Sequence, residues 1–295
     1  MTEILLDEIE TRKRNSGNKH KLQKNDSISS MNFKGVIDKS VAGAEYFLSL
    51  ENSNNLDFTV INLQNTVSGN ILNKVLFPRE TIINILRLPG FTIISNKLVM
   101  IIGYGNIGST LAKVLLSSHC SVYIVEKDPC RALKAAVNGL KTVSLNDYID
   151  VMDIVICSTQ AKGIMHADLL KKLKPNSILC NMSNNKKEID TSWLVKNSKM
   201  VPHNPNVDKV FLDPDDENKF FYLITKGINA GVEAFNLPEI CMSMNCVLMS
   251  LAIFELHMSK GCKYNRKVYE LPKKLDTYAA RIHLPHFHAH TNKNE

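Results

Sequence analysis

Among seven cysteines (120, 130, 157, 180, 241, 246 and 262) there is no Cys-x-x-Cys pair, and Cys157 and Cys180 sit inside apolar, strand-like runs as small hydrophobes. A disulfide framework is therefore not expected, and the composition fits a reducing compartment, the cytoplasm. No apolar run reaches ~18 residues and the first ten residues carry four acids, so neither a membrane span nor a secretion signal is expected. Only one tryptophan, Trp193, is present, and no repeat of solenoid period is visible. A strong excess of one charge is also missing: the net charge of +7 is mild and much of it lies in the ends and on helix faces, which gives no ground for a nucleic-acid partner. What is there is an ordinary hydrophobic content of 44% over 295 residues, enough for one large or two modest domains.

The most informative stretch begins at Leu98. Residues 98–102 are an unbroken apolar run, the pattern of a strand buried on both faces; Gly103, Gly105 and Gly108 follow as Gly-x-Gly-x-x-Gly; then Ile107, Leu111, Val114 and Leu115 keep helical spacing. A second strand, 122–125, ends in Glu126 about 20 residues beyond the glycines. This context, rather than the glycines alone, is what holds a dinucleotide. The first glycine permits the tight turn, the second lets backbone amides reach the pyrophosphate, and the third lets helix and strand pack closely, with the helix N-terminus aimed at the negative charge. A carboxylate at Glu126 accepts hydrogen bonds from ribose hydroxyls and repels a 2′-phosphate, which favours NAD over NADP.

Around this unit the chain reads as alternating helices and strands. Residues 1–32, with an acidic decapeptide, the basic cluster Arg12, Lys13 and Arg14, and serines 27, 29 and 30, are expected to form a disordered tail. A helix is predicted over 40–50, a strand over 58–63 and a helix over 78–88 with Pro78 in its first turn. Then come a helix (129–138), strands (142–145 and 153–158), a helix (167–173), a strand (177–182), short strands (200–202 and 220–225) and a long apolar helix (238–256). Trp193 is expected to pack on a helix start near Asp190, and Met242, Met244 and Met249 to fill a core. The rhythm predicts an α/β fold with a doubly wound parallel sheet. His286, His288 and His290 alternate in a short terminal tract, and no metal site is expected there.

Gly103-Tyr-Gly-Asn-Ile-Gly108, Glu126-Lys-Asp-Pro129, Cys180-Asn-Met182 with Glu188-Ile-Asp190, Trp193-Leu194, Pro238 with Met242-Ser243, and Lys267-Val-Tyr269 with Leu271-Pro-Lys-Lys-Leu-Asp276 stand in an order and spacing that resembles the adenosylhomocysteinase family from about residue 35 to about residue 284. The resemblance implies a Rossmann NAD-binding domain (66–237), a remnant of a second α/β domain that binds substrate (33–65 and 238–280) and a C-terminal tail (281–295). It implies cofactor contacts from Gly103, Gly105, Asn106, Ile107, Gly108, Glu126, Thr159 and Asn181. In that family bound NAD transiently oxidises the adenosine 3′-hydroxyl so that homocysteine can leave.

The chain departs from the family where protons would move. The family's catalytic lysine falls on Gly69, its aspartate on Asn73, the cofactor-touching asparagine beside it on Lys74, and its active-site histidine on Asn184. A glutamate that grips ribose is matched by Lys39, which reverses the charge. A family cysteine near the hinge becomes Pro78, and a Thr-Thr-Thr-Gly-Asn run lining the cofactor becomes Cys157-Ser-Thr-Gln-Ala161, losing a glycine and an amide. The family's Gly-His before Pro238 becomes Asn236-Leu237, and its cofactor-binding asparagine has a candidate counterpart in Asn229.

The first half of the substrate domain and the C-terminal extension that reaches a neighbouring subunit's NAD have no counterpart here. Each lost acid or base typically costs ~10²–10⁴-fold, so the expectation is a protein that keeps NAD and has lost hydrolysis. The alternative is an active adenosylhomocysteinase of the methyl cycle. The family's tetramers and its regulatory members imply a homo-oligomer or a full-length relative as partner. Apolar surface from Phe47, Leu50, Phe58 and the 238–256 helix is expected to be poorly covered, a reason to expect one.

Overall fold

The computed structural model describes residues 33–213, 215–216, 218–258 and 264–287. The expected tail at 1–32, with its basic cluster and serines, and Cys262, His288 and His290 lie outside the described residues.

β1 (Val36–Asp38) leads into α1 (Val41–Asn52), whose N-cap Ser40 accepts a hydrogen bond from the Gly43 amide at 2.9 Å. β2 (Val60–Asn62) is buried throughout. A continuous helical rod follows, made of α2 (Val67–Asn70), a π-helical segment (Ile71–Leu76) and α3 (Phe77–Arg87). Pro78 stands in the first turn of α3, as the spacing predicted, but the helical rod already begins before it, at Val67. Proline has no N–H to donate and crowds the preceding turn; the widened π turn, in which the Phe77 amide bonds to the Leu72 carbonyl, accommodates it.

The main body then alternates: β3 (Leu98–Ile102), α4 (Asn106–Ser117), β4 (Ser121–Val125), α5 (Pro129–Val137), β5 (Lys141–Thr142), α6 (Leu145–Tyr148), β6 (Ile154–Cys157), α7 (Ala167–Lys171), β7 (Ile178–Asn181) and α8 (Thr191–Asn197). Asp190 caps α8 by accepting from the Trp193 amide at 3.0 Å, and Trp193 packs against the core there, with the Lys171 ammonium 5.5 Å from its ring centre. β8 (Lys199–Asn204), β9 (Val207–Phe211) and β10 (Phe220–Ile224) complete the sheet. α9 (Ala230–Phe235), α10 (Glu239–Met258), β11 (Val268–Glu270) and α11 (Lys273–His283) close the described chain, with a 3₁₀ turn over Leu284–Phe287.

Eight strands form one sheet in the order β5-β4-β3-β6-β7-β10-β9-β8. The first six are parallel; at one edge β9 pairs antiparallel with β10 and β8 pairs antiparallel with β9. From β3 the chain winds outward to β4 and β5, then crosses back to β6 and β7, so the winding reverses between β3 and β6. The crevice beyond their C-terminal ends is where such sheets bind ligands. Strand residues alternate between two cores: Val99 and Ile101 pack with Ile82, Leu111 and Leu115 on one face, Met100 and Ile102 with Met152, Leu170 and Leu179 on the other. Cys157 and Cys180 are fully buried there, and burial pushes the Cys180 thiol up to about 12.

A second, three-stranded parallel sheet, β1-β2-β11, carries its own core, in which Ile61 and Leu63 meet Cys241, Met244, Leu248 and Ala252 of α10. Three expectations need correction here. Phe47 and Phe58 are not left bare: with Leu50, Leu56 and Val60 they cover one another in a small cluster. The uncovered apolar surface is on α10, where Met242, Met249, Ile253 and Phe254 are exposed, so only Met244 of the three methionines fills a core. By length and composition alone the 20-residue α10 could cross a membrane, but one of its faces is committed to the core of the small sheet. Ordered structure also runs beyond 280, since α11 reaches His283, whose imidazole is buried and bonded to Ser243 Oγ at 3.0 Å.

Candidate dinucleotide site

The switch point is built by the ends of β3 and β6. Gly103, directly after β3, has a φ of +100°, and a Cβ there would meet the Ser158 carbonyl and the Thr159 methyl at 3.0 Å. Gly108, in the first turn of α4, touches the turn itself: a Cβ there would collide with the Gly103 carbonyl oxygen. Gly105 differs, because a Cβ would meet nothing within 4 Å. The space before it is open, as close approach of a pyrophosphate demands. Gly105 is the N-cap of α4 and no side chain caps that end, so the amides of Asn106, Ile107 and Gly108 are left for an anion.

Glu126 sits at the C-terminal end of β4. Its Oε2 accepts from the Tyr104 amide at 2.6 Å and its Oε1 from the Asp128 amide at 2.9 Å. A carboxylate has about four acceptor positions, so two remain for ribose hydroxyls. Glu126 thereby ties the glycine turn to β4 and presents negative charge beside it. These features fit NAD: a turn a Cβ would fill, an uncapped helix end, and a carboxylate anchored but not exhausted. When bound, NAD supplies hydride chemistry, and the residues named here hold it.

The loop after β6 lies on the opposite side of β3 from Glu126. Ser158 Oγ donates between the Ile102 and Gly103 carbonyls, 3.1 Å from each. Gln160 stands where the family has glycine, and it takes a φ of +64°. A φ in this region is one that glycine adopts without strain and that other residues rarely take. Thr159 is part of this loop; Asn181 is not available in the same way. The Asn181 side chain is fully buried, donates to the Asn185 and Gly227 carbonyls at 3.0 Å each, and accepts from the Ser183 amide at 2.9 Å. Asn184 is exposed and its Oδ1 accepts from Asn229 Nδ2 at 2.8 Å, which places Asn229 at the same edge.

The positions expected for proton transfer are arranged differently. Gly69 packs against α10: a Cβ would meet Thr66 Oγ1 at 2.7 Å and Leu248 Cδ1 at 3.0 Å, so no longer side chain fits without movement. Asn73 donates to the Gly69 carbonyl at 2.7 Å and exchanges hydrogen bonds with Asn245, at 2.9 and 3.2 Å. The π segment that carries Asn73 and Lys74 packs against α4, so this corner adjoins the dinucleotide helix. Burial lowers the Lys74 and Lys39 ammonium groups below the usual lysine range, and the charge of Lys74 adds to that effect at Lys39. Among the described residues neither forms an ion pair with an acid. No cluster of three metal-ligating side chains occurs among the described residues.

Sequence reasoning missed three contributors: the Tyr104 amide, the Ser158 hydroxyl, and Glu188, whose buried carboxylate accepts from the Thr159 amide at 3.3 Å and also from the Gln160 amide. All three stand inside stretches that carry the family resemblance, but their spacing alone gave none of them a role at the site.

Among solved structures the chain is similar to a dipicolinate synthase component from Bacillus halodurans, at 16% identity over 55% of each chain with a TM-score of 0.44. It is also similar to dipicolinate synthase from Bacillus subtilis, at 14% identity over 76% of this chain and 66% of that one, with a TM-score of 0.49. A third likeness is to the NAD-dependent formate dehydrogenase from Staphylococcus aureus in complex with NAD, at 17% identity over 48% of each chain with a TM-score of 0.36. The chain thus spans between about half and two thirds of the length of these proteins. The family model "S-adenosyl-L-homocysteine hydrolase, NAD binding domain" matches residues 75–231, more than half of the sequence. On that match, and on the glycine turn and Glu126 it contains, the chain belongs to the S-adenosyl-L-homocysteine hydrolase family through its NAD-binding domain.

Proposed function

We propose that this chain binds NAD, does not hydrolyse S-adenosylhomocysteine to adenosine and homocysteine, and acts as a regulatory or partner subunit. One observation carries the reading: at Gly69 a Cβ would meet Thr66 and Leu248, while the turn at Gly103, Gly105 and Gly108 keeps the shape a pyrophosphate needs. The position matched to the family's lysine has no side chain, and adding one would require Thr66 or Leu248 to move. Asn73, matched to the aspartate, is an amide held by Asn245, and an amide takes no proton near neutral pH.

The partner role is supported by α10. Met242, Cys246, Met249 and Ile253 follow one another at i, i+4, i+7 and i+11, a single exposed helix face. We assign that face to a full-length adenosylhomocysteinase. Two measurements test the function. NAD should raise the melting temperature and NADP should not. The chain should co-purify with a full-length relative; a stable lone monomer in the presence of that relative counts against the partner role, and absence of any NAD shift counts against the cofactor.

A further inference from the structure

Glu188 is a fully buried acid in the loop between β7 and α8, and nothing in the dinucleotide motif calls for it. Its carboxylate accepts from the backbone amides of Thr159 and Gln160 at the end of β6, and from the Ser183 hydroxyl. A neighbour in the same loop completes a clamp: Asn185 Nδ2 donates to the Gln160 carbonyl at 2.7 Å. Both backbone polar groups of Gln160 are therefore held by side chains from the β7 loop. Further along, Gly163 N donates to the Lys187 carbonyl at 2.7 Å and Met165 N to the Glu188 carbonyl at 2.9 Å, which stitches the two loops together.

The clamp has a specific object. A left-handed backbone is strained at a residue with a side chain, and such conformations persist only where surroundings over-determine them. The loop so held is the one whose Thr159 methyl and Ser158 carbonyl line Gly103. A continuous chain of contacts thus runs from Glu188, through the 159 and 160 amides, to the first glycine of the turn. Because Glu126 takes the ribose on the β4 side of the switch point, the loop after β6 borders the other half of a dinucleotide.

We propose that Glu188 is a positioning residue of the dinucleotide site, setting the loop of residues 158–161 so that it receives the nicotinamide-ribose half of NAD. This rests on the reading of the site as one that binds NAD. It assigns Glu188 no contact with the cofactor.

The test is calorimetric titration of the full chain and of Glu188→Gln with NAD and, separately, with AMP, which occupies only the adenosine side. Glu188→Gln should weaken NAD about tenfold and leave AMP within about twofold. Unchanged NAD binding by folded Glu188→Gln overturns the proposal, and so does equal loss of both ligands, which marks a merely structural acid. Asn185→Ala, which removes the other arm of the clamp at a partly exposed position, covers the case in which Glu188→Gln does not fold. It should weaken NAD about threefold with AMP unchanged, and wild-type NAD affinity in it overturns the proposal. If the wild-type chain itself binds no NAD, the cofactor reading falls and takes this one with it; if the wild type binds and both variants bind alike, only the role of Glu188 falls.

Discussion

Asn73 and Asn245 face each other carboxamide to carboxamide, each donating to the other, across the contact between the π segment and α10. The pair joins the small sheet's long helix to the rod that packs on the dinucleotide helix. Replacing Asn73 by Asp, the residue the family carries, removes the donor to both Gly69 O and Asn245 Oδ1 and sets a carboxylate against two carbonyl oxygens. Asn73→Asp should therefore lose about 1–3 kcal/mol in urea unfolding and gain no hydrolysis. A variant as stable as wild type would contradict this account of the pair.

The glycine turn allows a test in which two neighbouring glycines behave oppositely. Gly108→Ala places a Cβ against the Gly103 carbonyl and should both lower the melting temperature and abolish NAD binding. At Gly105 the φ of −74° suits alanine and the space is open, so Gly105→Ala should keep stability within about 0.5 kcal/mol while NAD binding is lost. Thermal unfolding with and without NAD separates the two. Equal damage to the fold from both would mean that the space before Gly105 is packed rather than open.

Gln160→Gly should stabilise the chain by up to about 1 kcal/mol, because glycine accepts a φ of +64° without strain, an effect its greater freedom in the unfolded chain partly offsets. Gln160→Val should destabilise it, since a β-branched residue is worst in that region. Denaturant midpoints of the two variants check the order, and a reversed order would argue against the left-handed loop.

Burial raises the Glu188 carboxyl above its ordinary value of 4.5, even though Ser183, Thr159 and Gln160 hydrogen-bond to it. The folded state then holds this proton more tightly than the unfolded state does. The contribution to stability is complete below 4.5 and is lost as pH rises through the folded-state value. Glu188→Gln, fixed in a neutral form, has no such dependence. The melting-temperature advantage of wild type over Glu188→Gln should accordingly be larger at about pH 4.5 than at about pH 7.5. An advantage that grows with pH would mean that the hydrogen bonds outweigh burial.

Much of this architecture was legible in the sequence because its signals are local. The apolar run at Leu98–Ile102, the three glycines and Glu126 each state their role through spacing, and β3, α4 and β4 fall where that spacing puts them. The α1 cap at Ser40 and the α8 cap at Asp190 are local in the same sense. What escaped was set by tertiary contact. Pro78 marks the first turn of α3 but not the rod that begins before it, at Val67, and β9 is a short hairpin strand in a stretch with little apolar periodicity. The covering of Phe47 by Phe58, the bare face of α10 and the clamp on Gln160 all depend on which segments meet, which no window of sequence encodes. The departures at Gly69 and Asn73 were legible only against a family resemblance; what the structure adds is that Gly69 packs on Thr66 and Leu248 and Asn73 pairs with Asn245.

The most direct test is homocysteine release from S-adenosylhomocysteine by the purified, NAD-saturated chain, followed with a thiol reagent. With Gly69 and Asn73 in place of the family's lysine and aspartate, release should not exceed the rate without protein; sustained thiol production that scales with protein concentration would contradict the account.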